Sequence, residues 1–198
     1  MATSATGSVG ALSGREARAH ACAFGKHPAW DDHIEDIGLE HDRLVWIKRV
    51  LYAEGIAGNI DSGAWEKIEE PKRLPAFNHR FYWRTPEGLI VGRFWSSRDG
   101  KGRTKYPMVA CAWVEGVPDA WAVEQISSRL ERFEQTVKQT DNAELVKLAV
   151  GQLQRELSTA AAVVLGAPGG ENTTLVAKLI DSPAMDASGQ KGLGLLRV

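Results

Sequence analysis

Residues 77–97 constrain the fold more tightly than any other stretch, because two apolar phrases, FNHRFYWR and LIVGRFWSS, face each other across the four residues TPEG. In the first phrase Phe77, His79, Phe81 and Trp83 alternate with Asn78, Arg80, Tyr82 and Arg84, the period-two pattern of a strand buried on one face. Pro86 suits the second position of a type I turn and Gly88 a left-handed position after it, so the second phrase is expected to return antiparallel as a hairpin. Beyond the turn-rich segment SSRDGKGRTKYPM (Ser96 to Met108), the phrase YPMVACAWVEG is apolar enough for a central strand. Upstream, HACAFG, starting at His20 and closed by Gly25, reads as one more short strand.

Elsewhere the apolar spacing changes to three and four residues. From His41 onward Leu44, Ile47, Val50 and Leu51 form a stripe flanked by Trp46 and Tyr52, with Gly55 and Gly58 expected to end that helix. A single helical turn is expected around Trp65. Pro118 and Asp119 open a helix whose buried stripe is Val123, Ile126, Leu130, Phe133 and Val137. Asp141, with Glu144 three residues on, resembles a capping box for another helix that buries Val146, Ala149, Val150, Leu153 and Leu157. This order predicts an α+β fold, a mostly antiparallel sheet flanked by helices, rather than the strict alternation of a doubly wound parallel sheet. The expected organisation is a disordered lead-in at 1–19, one domain at 20–158, and a weakly determined segment at 159–198 with a short helix at 172–180. The chain stops on the apolar phrase LGLLRV, which predicts that this tail docks on the core or that the natural protein continues.

Charge narrows the function classes. The 24 Lys and Arg residues nearly cancel 25 Asp and Glu, leaving a formal charge of -1, so no bulk electrostatic argument favours nucleic acid or an anionic membrane. No apolar stretch approaches the roughly 20 residues of a membrane span, and MATSATGSVGALSGREARA lacks the apolar core of a signal peptide. Cys22 and Cys111 sit in apolar runs as structural thiols that could pair only if their strands are neighbours. Cytoplasm is therefore the expected compartment.

Two polar clusters are candidates for function. In GKHPAWDDHIED, His27, Asp31, Asp32, His33 and Asp36 crowd into one loop; they fit either a solvated loop capping the next helix or metal and acid-base chemistry, although their spacing matches no zinc motif. Around Gly100 and Gly102 lie Arg98, Lys101, Arg103 and Lys105, which fit a tight connection with its charges in water, a recognition loop, or an anion-binding loop. The P-loop pattern is absent and the segment leads into a strand; LGAPGGENTT likewise lacks the P-loop lysine. No G-x-S-x-G surrounds a serine, and Ser96 and Ser97 have no assignable histidine. Of seven tryptophans most are expected in the core, with Trp30, in a polar loop, expected to face a partner.

The phrases FGKHPAWDD and SSRDGKGRTKYPM, in that order around strands, resemble the N-terminal domain of the TagF family, type VI secretion-associated proteins with the patterns G-K-x-P-x-x-G-D-F and S-x-D-x-x-G-R-x-F-P-L. Gly25, Lys26, Pro28 and Asp32 match the first pattern; Ser97, Asp99, Gly102, Arg103, Tyr106 and Pro107 match the second, with the aromatic changed. The chain departs at Asp31 in place of the glycine, at His33 in place of the phenylalanine, and by the extra residue Lys105, which marks a divergent member. The resemblance covers about residues 20–117. It implies a cytoplasmic, non-enzymatic regulator without a cofactor, which represses secretion-system assembly after translation by engaging a forkhead-associated scaffold protein. On that reading Gly25, Pro28, Gly102 and Pro107 shape the backbone, while Trp30, Arg98, Lys101 and Arg103 touch the partner. The rival reading is a metal-dependent or acid-base hydrolase using His27, Asp31, Asp32 and His33.

Overall fold

The computed structural model describes residues 17–69 and 76–164, together with the backbone of 194–197. Strand β1 (Arg18–Gly25) is followed by a helical segment made of α1 (Asp42–Ile47), a π-helical stretch (Lys48–Ala57) and α2 (Gly58–Asp61). The hairpin β2 (Asn78–Arg84) and β3 (Gly88–Trp95), strand β4 (Met108–Glu115), and helices α3 (Asp119–Val137) and α4 (Ala143–Val164) come next, and β5 (Gly194–Arg197) ends the described chain. The sheet order is β1-β4-β3-β2-β5, with every neighbouring pair antiparallel. The expected α+β architecture is thus the observed one. The expectations for the lead-in before Ala17, for LGAPGGENTT and for a helix at 172–180 lie outside the described residues.

Alternation assigns the two faces of the sheet. Cys22, Phe24, Phe81, Ile90, Phe94, Val109, Cys111 and Trp113 pack under the first helical segment. Ala21, Ala23, Tyr82, Val91, Trp95, Ala110, Ala112 and Val114 pack under α3 and α4. The small alanines of β1 let α4 approach closely, while α3 lies over β3 and β4; the large aromatics on the opposite face fill the space beneath a helix of irregular pitch. β2, expected to be buried on one face, is covered on both: Phe81 and Tyr82 point opposite ways and are both buried.

Four local expectations are corrected. Gly55 and Gly58 do not end the first helix, because the chain widens there to i→i−5 pairing and continues to Asp61. The buried positions Leu44, Ile47, Leu51, Ile56 and Ile60 include one five-residue step, which a π-helical stretch absorbs without turning the apolar stripe away from the sheet. Gly88 is not left-handed; a Cβ there would fall 2.2 Å from the Val114 carbonyl oxygen, so close strand approach requires the glycine. The cap of α4 is Asn142, whose Oδ1 accepts the N–H groups of Glu144 and Leu145 at 2.9 and 3.3 Å, not Asp141. The first strand also begins at Arg18, two residues before the expected start.

Cys22 and Cys111 are directly opposite in the β1–β4 ladder, and both are free and buried, with their Sγ atoms 3.5 Å apart. Burial pushes the Cys22 thiol well above its ordinary value. A thiol so placed is held in the unreactive protonated form.

Candidate functional site

β1 ends on Gly25, whose φ of 108° and whose missing Cβ, which would sit 2.3 Å from the Pro107 carbonyl oxygen, bring the first polar loop against the segment before β4. The Lys26 N–H then donates to that same carbonyl at 3.2 Å. This registration delivers the Lys26 side chain, 3% exposed, beneath the loop at 96–107. A buried ammonium needs counter-charges. It donates to Asp99 Oδ2 at 2.9 Å and to Asp32, and it lies 5.8 Å from the centre of the Tyr106 ring.

Asp99 is the hub of the loop. Its Oδ1 accepts the backbone N–H groups of Lys101 and Arg103, each at 3.0 Å, and its Oδ2 accepts Arg103 Nε at 2.7 Å as well as Lys26. Gly102, with φ of 78°, supplies the turn that brings Arg103 back. From there the Arg103 guanidinium reaches across to the Asp31 carbonyl oxygen at 2.6 Å, and the Gly100 N–H donates to the Trp30 carbonyl at 2.6 Å. Burial would by itself raise the Asp99 carboxyl, but the Lys26 ammonium and the Arg103 donors outweigh it and hold the group well below the usual carboxylate range. The hydrogen bond from Lys26 likewise holds Asp32 down at about 2.

The structure therefore joins Gly25, Lys26, Asp32, Asp99, Gly102, Arg103 and Pro107 into one clamp between two strand ends. Tyr106 borders it: its hydroxyl donates to Asp61, and its ring lies 5.2 Å from that of His33. Trp30 does not stand out toward solvent as expected; it is half-buried against the α3–α4 side of the core, edge-on to His27 at 5.7 Å. Pro28, Ser97 and Arg98 lie on the far side of the loop, where they line a separate cavity.

The acidic, histidine-rich cluster is dispersed. The Val137 carbonyl can only accept, so His27 Nε2 donates to it at 2.9 Å, while Nδ1 accepts the Ala29 N–H at 3.1 Å. Both nitrogens are thus committed, Nε2 to α3 and Nδ1 to the backbone of its own loop, and burial lowers the His27 value. Asp32 and His33 face the clamp instead, with His33 Nδ1 3.2 Å from Asp32, and Asp36 pairs with Lys48 at 2.5 Å. Among the described residues no three His, Cys, Asp or Glu side chains are placed to hold a metal ion.

Reading the sequence missed a second buried ion group. Arg93 on β3 donates to Glu134 on α3, Lys138 adds a bond to Glu134 at 2.5 Å, and Arg93 also reaches Asn78 Oδ1 at 2.8 Å. The available signal was a glutamate between Phe133 and Val137, four residues after Leu130, on an otherwise apolar stripe.

Fold and site together define a three-layer α+β domain with two loops pinned to each other by buried charge. No protein-family model matches the chain, and no curated protein matches it. Among solved structures it is similar to that of PA0076 from Pseudomonas aeruginosa PAO1, at 18% identity and a TM-score of 0.48, over 74% of this chain and 77% of that one. No helix among the described residues is long and apolar enough to cross a membrane.

Proposed function

We propose that this protein is a TagF-type regulatory binding module, acting in the cytoplasm without catalysis, which represses type VI secretion assembly by engaging a forkhead-associated scaffold. The observation that carries this reading is the clamp: Lys26, Asp32, Asp99 and Arg103, which the two resembling motifs share, meet at hydrogen-bonding or ion-pair distance although Lys26 and Asp99 are 73 positions apart. Residues so committed hold the loops in shape. Contact with a partner then falls to the exposed side chains those loops carry, among them Asp31 and Lys101, which are 77% and 61% exposed.

Capture from a host carrying a type VI system tests the proposal. Tagged wild-type protein should recover a forkhead-associated protein, and Lys101→Glu should weaken recovery while leaving the thermal unfolding midpoint unchanged. Recovery of no secretion component by the wild type would sink the assignment.

A further inference from the structure

The basic loop looks like an anion site in sequence, yet three of its four cations are already neutralised: Arg103 by Asp99, Lys101 by Asp31, and Lys105 by Asp61. Among the described residues Arg98 alone of the four has no carboxylate partner, and it lines a cavity of about 480 Å³ on the other side of the loop. Ser96, Ser97 and Thr104 line the same cavity, and Lys138, whose ammonium is held by Glu134 at 2.5 Å, borders it. The cavity also adjoins the C-terminal end of α3, whose carbonyls would ordinarily repel an anion. That end is offset here, because His27 donates to the Val137 carbonyl and because Glu134 is matched by two cations, Arg93 and Lys138. Asp141, whose charge reaches His27, is the opposing group.

We infer that this cavity binds a phosphate group. A guanidinium without a counter-ion, flanked by hydroxyl-bearing side chains, is an arrangement that recognises a tetrahedral oxyanion. The shared chemistry has two sources, free phosphate or a phosphorylated side chain. A second depression of about 250 Å³ shares Ser96 and Thr104 with the first and is lined by Trp65 and Phe77 together with Glu66 and Lys105, room that residues flanking a phosphorylated side chain would occupy and inorganic phosphate would not. The inference does not depend on the secretion partner, so either can fail alone.

Isothermal titration of the full chain with inorganic phosphate, with N-acetyl-phosphothreonine methylamide and with its unphosphorylated counterpart tests it. Expected are binding of inorganic phosphate or of the phosphothreonine probe, none of the unphosphorylated one, a loss of at least about tenfold in Arg98→Gln with partial recovery in Arg98→Lys, and no change in Arg49→Ala, an exposed cation that does not line the cavity. Arg98 is exposed and unpaired, so its variants should retain the wild-type unfolding midpoint. Tighter binding of the phosphothreonine probe assigns the phosphorylated side chain as the source; equal or weaker binding assigns free phosphate. Failure of both phosphorylated probes to bind the wild type, or unchanged binding in Arg98→Gln, overturns the inference.

Discussion

Glu134 is 2% exposed inside α3, and its nearest counter-charge, Arg93, is itself 8% exposed on the sheet beneath. A pair of this kind contributes little net stability, since desolvation offsets most of its attraction, but removing one member leaves the other charged and uncompensated. Glu134→Gln is therefore expected to lower the unfolding free energy by about 3–5 kcal/mol, while Arg93→Met combined with Glu134→Leu costs less than the single change. Urea denaturation of the two variants and the wild type checks the order. A double variant less stable than the single would show that the pair itself, not the orphaned charge, carries the energy. The Lys26–Asp99 pair is better supported: Asp99 also takes two backbone N–H groups and Arg103, so its loss would open the loop as well as orphan a lysine.

At the scale of elements the exposed side of β1 needs protection, because unpaired strand groups invite pairing with other chains. Gln154 of α4 provides it. Its carboxamide oxygen accepts the Ala21 N–H and its nitrogen donates to the Ala19 carbonyl, both at 2.7 Å, as a neighbouring strand would. Further along, Ala23 and Ile37 exchange backbone bonds at 3.0 and 3.3 Å and close the rest of the edge. Gln154→Ala should cost about 1–3 kcal/mol and make the apparent mass in sedimentation rise with concentration relative to the wild type. Unchanged stability and sedimentation would show that the edge needs no such cover. The π-helical stretch is the other element-level device: it keeps Ile56 and Ile60 over the sheet after the five-residue step from Leu51.

For the whole molecule, the paired carboxylates of the clamp and the histidines around it set how stability depends on pH. Asp32 and Asp99 have native values below those of unfolded carboxylates, so the unfolded state binds more protons as pH falls below about 4, and the stability these groups contribute is lost through that window. His27, His33 and His41 are also held below their ordinary value, chiefly by burial, which makes the unfolded state bind more protons from about pH 6.5 downward. Denaturation between pH 7 and pH 2 should therefore show stability falling in two stages, with His27→Gln flattening the upper one and Asp99→Asn the lower. A profile flat from pH 7 to 5 would contradict the neutral, committed His27. Much of this molecule was legible without coordinates: the hairpin, the central β4 and the stripes Ile126–Leu130–Val137 and Val146–Val150–Leu153–Leu157 are periodic, and periodicity is a local property that burial enforces residue by residue. The two loops were legible as clusters of residue types. Which charges would meet was not, because Lys26 reaches Asp99 only after β1 pairs with β4 and Gly25 closes on Pro107. Sequence by itself determined the strands, the helices and the residues dense enough in charge to matter; tertiary structure alone decided that Lys101, Arg103 and Lys105 are matched and Arg98 is not, since ion pairing falls off steeply with distance and only the folded chain fixes those distances.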